Sequence, residues 1–147
     1  MSKPAKLATY DQRARVGRMV NRAQYKLVQA LDNAMEPFGI SAAQYVILST
    51  LWEDRADTAA QICKEVSYTP GAMTRMLDRL EQKGVIRRSF HANNRRSHKL
   101  ELTDEGRAIF PDLFDARASV MDHFFGDFSA GELDQFELSL KRMLARD

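Results

Sequence analysis

The sequence predicts a mainly α chain in which two short helices feed a two-stranded hairpin and long helices flank this unit on both sides. Three observations carry that expectation. Helix starts are marked by capping pairs, in which an N-cap Ser or Thr and a Gln or Glu three residues later each satisfy an amide that the helix leaves open. Such pairs stand at Thr9/Gln12, Ser41/Gln44, Thr58/Gln61 and Ser129/Glu132. Apolar residues between the caps recur at helical spacing. Between residues 85 and 102, two short runs supplying Val85, Ile86, Leu100 and Leu102 enclose a polar loop, the pattern of a hairpin pinned to a core by one face.

The first helix is expected from about Asp11 to about Met35, carrying Val16, Met19, Val20, Ala23, Leu27, Ala30, Leu31 and Ala34, with Pro37 and Gly39 ending it. A second runs from about Ala42 to Trp52, with Val46, Ile47, Leu48 and Leu51. The third covers about Ala59 to Val66, with Ile62, Cys63 and Val66 turned inward. The fourth covers Pro70 to Lys83 behind Thr69. Proline at a first helical position costs no hydrogen bond, and Met73, Met76, Leu77 and Leu80 form the apolar stripe. Strands are expected at Val85 to Phe90 and Lys99 to Leu102. Thr103, followed by Asp104 and Glu105, opens a fifth helix reaching about Phe125, its acids near the positive helix end. Pro111 should kink that helix or mark a restart. The last helix spans about Ala130 to Ala145, with Leu133, Phe136, Leu140, Met143 and Leu144. Gly39, Gly84 and Gly126 stand where left-handed C-caps are expected.

With 147 residues, 44% of them hydrophobic and 29% charged, the chain fits one domain with a real core. A chain of this length buries about 68–70% of its unfolded surface and needs no staples. One cysteine excludes an internal disulfide and suits a reducing cytoplasm. The N-terminal MSKPAKLATYDQRAR has no apolar core of a secretory signal, and no apolar run approaches the roughly 18 residues of a membrane span. Net charge is only +2, but it is unevenly placed. From Ala60 to Lys99 nine basic residues face three acidic ones, a net +6 that leaves −4 elsewhere. A basic middle between acidic flanks suits a phosphate-facing module.

A helix pair followed by a basic hairpin can place one helix in a DNA major groove and a loop in the neighbouring minor groove. The apolar stripe of the fourth helix leaves Gly71, Thr74, Arg75, Asp78, Arg79 and Gln82 on other faces. Thr69 to Thr74 are small residues that let backbone approach a duplex, and open amides at a helix start hold phosphate. Arg75 is assigned to a base edge or its flanking phosphate, because the guanidinium fork matches guanine. Arg79 is assigned mainly to phosphate. In the loop HANNRRSH, Asn93 and Asn94 tolerate a turn, and Arg95 and Arg96 fall at or near its tip. A narrow minor groove attracts inserted arginine, and His98 is placed against phosphate.

The run TRMLDRLEQKGVIRR, then NNRRSHKLELTDEG, resembles the winged helix-turn-helix of the MarR family of transcriptional regulators, and the resemblance extends over nearly the whole chain. It implies a winged helix-turn-helix module over about 41–103, with dimerisation helices over about 9–36 and 104–147. It implies a homodimer on a pseudo-palindromic double-stranded DNA operator, a repressor in the usual case, released by a small phenolic or lipophilic anion. The family wing usually carries Asp-x-Arg. Here those positions read Asn94, Arg95, Arg96, so the arginine is kept and the wing-ordering ion pair is not.

Apolar surface on the terminal helices exceeds what one small core can cover, and a two-fold dimer buries it economically. An intramolecular three-helix cluster is the alternative. A cleft between the first, second and fifth helices is expected to hold the effector, with Met19, Arg22, Tyr45, Trp52 and Phe114 as its lining, and Arg18 and Tyr25 nearby. Cys63 reads as a small core hydrophobe, with a redox-sensing thiol beside Lys64 as the alternative. No His/Cys/Asp spacing suits zinc, no serine sits in a nucleophile elbow and no glycine-rich loop cradles phosphate, so no metal, cofactor or catalysis is expected. The rival reading is a winged-helix protein-interaction module without DNA binding, disfavoured by the basic middle and the Arg95/Arg96 pair.

Overall fold

The computed structural model describes residues 3–66, 68–91 and 94–146, without the side chains of 3, 4, 6–8, 91 and 94–97. In chain order the elements are α1 (Lys3–Met35), a 3-10 turn (Glu36–Phe38), α2 (Ala42–Trp52), α3 (Ala59–Glu65), α4 (Pro70–Gln82), β1 (Ile86–His91), β2 (Asn94–Leu102), α5 (Asp104–Phe125) and α6 (Ala130–Leu144).

The caps explain most of these boundaries. Full capping boxes open α2 at Ser41/Gln44 and α6 at Ser129/Glu132. At α3 only half of the box forms. Thr58 Oγ1 accepts from the Gln61 amide at 3.2 Å, while Gln61 Oε1 turns to the Asp57 amide at 2.9 Å. Thr69 and Thr103 cap α4 and α5 through the amides of Ala72 and Gly106. Thr9 is no cap. Its hydroxyl donates to the Ala5 carbonyl inside α1, which starts at Lys3 rather than near Asp11. The Lys-Ala-Leu-Gln-Arg character of this stretch favours continued helix over the local capping option.

Gly39 (φ 68) and Gly84 (φ 75) adopt the left-handed conformation expected of them, whereas Gly126 is right-handed (φ −61). Helix α5 runs unbroken through Pro111, so there is no restart. The second strand is longer than its apolar residues suggested, starting at Asn94 instead of Lys99. Strands β1 and β2 pair antiparallel from Ile86↔Leu102 through Arg88↔Leu100 to Phe90↔His98. The register then slips, and His91 pairs with Asn94. Arg95 and Arg96 therefore belong to β2, within the slipped stretch, and not to a long loop.

One core joins the elements. Ile47, Leu48 and Leu51 of α2, Ile62 of α3, Met73, Leu77 and Leu80 of α4, and Val85, Ile86, Leu100 and Leu102 of the hairpin are buried together. Met35 at the end of α1 and Phe110 and Leu113 of α5 enter the same core. Cys63 is half-buried against it. The hairpin base is tied to the helices by Leu100 N–H donating to Asp57 O at 2.7 Å and Thr103 N–H donating to Val85 O at 3.1 Å.

The other end of the molecule is different. Helix α6 buries none of its residues, and Tyr10, Val16, Met19 and Tyr25 of α1 stand exposed with Phe136, Leu138, Met143 and Leu144 of α6. Among the described residues α1 packs on α5, but α6 adds no buried residue to them. The chain exposes 10870 Å². A compact monomer of its mass would expose about 7,700 Å². No helix among the described residues is long and apolar enough to cross a membrane.

Candidate nucleic-acid interface

Helix α4 presents its polar face because Met73, Leu77 and Leu80 anchor the opposite one. Thr69, Gly71, Thr74, Arg75 and Arg79 are all exposed, as the sequence predicts. Two of the small residues are occupied locally. The Thr69 oxygen accepts the Ala72 amide at 3.2 Å, and the Thr74 hydroxyl donates to the Pro70 carbonyl at 2.9 Å. Met73 N–H donates to Thr69 O, and Pro70 has no N–H. Among the described residues, that leaves the Gly71 amide as the one N–H of this first turn without an acceptor. The Arg75 guanidinium lies over Gly71, 3.7 Å from where a Cβ would stand.

The cations around this face divide into two groups. Arg87 gives Nε and Nη2 to Glu101 Oε2 at 3.1 and 2.8 Å, Lys99 reaches Glu101 Oε1 at 3.3 Å, and Arg88 Nη2 reaches Asp78 Oδ1 at 2.6 Å. These hydrogen bonds, that from Arg87 foremost, hold the Glu101 carboxyl below its ordinary value. By contrast, among the described residues no ion pair involves Arg75 or Arg79. Arg79 faces a cleft that it shares with Asp32, Glu36, Gln44 and Lys83, toward the junction of α1 and α2.

On the wing, the backbone of Asn94, Arg95 and Arg96 lies in β2, next to the turn. The aims assigned to their side chains fall outside the described residues, as does Asn93. His98 is exposed but packs edge-on against Phe90, ring centroids 5.3 Å apart. Sequence reasoning gave Arg88 no role and left Asp78 on an open face. Their pairing is long-range in the fold, and no periodicity signals it.

The expected effector lining is not brought together in this single chain. Tyr45 is buried, stacked on Phe110 at 5.6 Å with the Arg117 guanidinium 5.5 Å from its ring. Trp52 stacks on Phe110 at 4.6 Å, and Phe114 is exposed on α5. Met19 and Arg22 are exposed on α1. Met19 stands sixteen residues, about 24 Å of helix, before the buried Met35. The cavity on α1 is lined instead by Gln12, Arg13, Val16, Gly17, Val20, Asn21 and Met143.

The MarR family model matches residues 40–98, which span α2 to the wing. The transcriptional repressor MdtR of Bacillus subtilis is 31% identical over 110 residues, covering 75% of this chain and 71% of MdtR. The chain belongs to the MarR family. The multiple antibiotic resistance protein MarR of Escherichia coli is 34% identical over 94 residues, 64% of this chain and 65% of that one. A mutant of E. coli MarR, solved in complex with operator DNA, superposes with a TM-score of 0.82 at 28% identity, covering 92% of this chain and 97% of the other. As a member of the MarR family the protein is a DNA-binding transcriptional regulator and not an enzyme.

Proposed function

We propose that the protein binds a pseudo-palindromic operator as a homodimer and represses transcription from it. The module over about 41–103 reads the DNA, and helices at the two ends of the chain pair with those of a second copy. The single observation that supports this reading best is the exposed Arg75/Arg79 pair on α4, which among the described residues makes no ion pair while the neighbouring Arg87 and Arg88 are paired. Arg75 reads a base edge, the Gly71 amide and Arg79 hold phosphates, and Arg96 enters the minor groove. The excess of exposed area, about 3,200 Å² per chain over a compact monomer and so about 6,400 Å² for two copies, is enough to supply an obligate dimer interface, which buries about 2,000–5,000 Å² or more over both partners.

The finer part of the reading is the effector. A small phenolic or lipophilic anion, held between the dimerisation helices and the module near Trp52 and Phe114, would lower operator affinity. Such a regulator works in the cytoplasm, where its DNA is.

Arg75→Ala and Arg96→Ala test the reading. Each is expected to weaken binding to a selected duplex by about 1–3 kcal/mol, measured by fluorescence anisotropy, with the dimer intact. Wild-type affinity in both variants would overturn the assignment.

A further inference from the structure

Arg88 lies two residues beyond the buried Ile86 on β1, so its side chain leaves the strand on the same face and runs toward α4. The side chain is only 23% exposed. Its Nη2 donates to Asp78 Oδ1 at 2.6 Å. Its Nε stands 3.8 Å from Glu81 Oε2, too far for a hydrogen bond, and is buried without a hydrogen-bond partner among the described residues. A guanidinium drawn out of water with one donor unmet is costly, and an apolar residue of similar volume would serve stability as well. The arrangement makes better sense through what it holds in place.

It holds two things. One is the angle at which β1, and with it the wing, meets α4. The other is Asp78. This carboxylate follows Arg75 by three residues on one helix, a spacing at which the two side chains meet. Left free, it would compete with a duplex for the Arg75 guanidinium. We propose that Arg88 is a positioning residue for DNA reading: by binding Asp78 it fixes the wing against the recognition helix and keeps Arg75 available for a base edge. The inference rests on the DNA-reading function proposed above.

The test uses full-length dimeric protein and labelled duplexes selected by the wild type from a random pool. Base pairs at which Arg75→Ala loses discrimination define the positions of α4, and those at which Arg96→Ala loses it define the positions of the wing. Arg88→Met is expected to lower operator affinity about ten-fold and to lose discrimination at both sets. Adding Asp78→Asn should restore discrimination at the α4 positions but not at the wing positions, and Arg88→Lys should recover part of both. A salt bridge that only stabilised the fold would shift the thermal midpoint and leave both discriminations alone. That outcome, or a double variant no better than Arg88→Met, overturns the proposal. Should Arg88→Met fail to fold, Asp78→Asn in the otherwise intact chain carries the test: α4 discrimination is kept and wing discrimination falls, and unchanged wing discrimination overturns it. Failure of the wild type to select any duplex would instead overturn the DNA-reading function itself.

Discussion

Gly106 sits in the first turn of α5, where a Cβ would collide with the backbone carbonyl oxygen of Val85. The obstacle is backbone, and a Cβ has no rotamer by which to avoid it. The same carbonyl accepts from Thr103 N–H, and Thr103 Oγ1 donates to Gly84 O at 2.5 Å, so the hairpin base and the start of α5 are held as one unit. Gly106→Ala should cost about 1–3 kcal/mol, read as a lower midpoint in a denaturant titration; an unchanged midpoint would show that the joint yields. Tyr45 gives a pH prediction. Burial pushes its phenol above the ordinary value of 10, against the opposing pull of Arg117. The stability linked to the neutral phenol is then complete below that ordinary value and is lost as pH rises through the folded value. Absorbance titration should show Tyr45 ionising late, together with alkaline unfolding, and loss of this late step in Tyr45→Phe assigns it.

At the scale of elements, α2 to α4 were legible from their caps; α2 is apolar nearly all round, whereas α4 carries an apolar stripe of period 3.6, and Thr69, Gly71, Thr74, Arg75 and Arg79 followed as the residues that stripe leaves over. The start of β2 was not legible. Asn94 to His98 carry no apolar alternation, so nothing in their order separates a polar strand from a loop, and only pairing with β1 defines it. The Thr9/Gln12 pair misled for the opposite reason: a cap pattern inside a run of helix formers is overridden by propagation of the helix. Sequence alone does not separate Phe110 from Phe114, because the two lie four residues apart on one face of α5. Only the stacking of Phe110 on Tyr45 and Trp52 decides which ring faces the core. Helix α6 was predicted correctly as a helix, yet its apolar residues meet no core in this chain. Phe136→Glu or Leu144→Glu should therefore leave the α2–β2 module folded while shifting sedimentation toward monomer, and a dimer of wild-type strength in both variants would contradict the assigned interface.

For the whole molecule, the division is between a compact reading module and terminal helices with surface to cover. The net +6 between Ala60 and Lys99 predicts binding that falls steeply with salt. If two protomers neutralise about six phosphates, the slope of log affinity against log salt should be about −5, and a flat response would favour a protein partner over DNA. The central claim is that two copies of this chain read DNA together, with Arg75 and Arg96 as the specific contacts. Selection of bound duplexes from a random pool tests it most directly. The account predicts enrichment of two inverted half-sites whose centres lie about one helical turn apart, 10–10.5 base pairs or a multiple of it. Enrichment of a single unpaired half-site, or of no sequence at all, would contradict it.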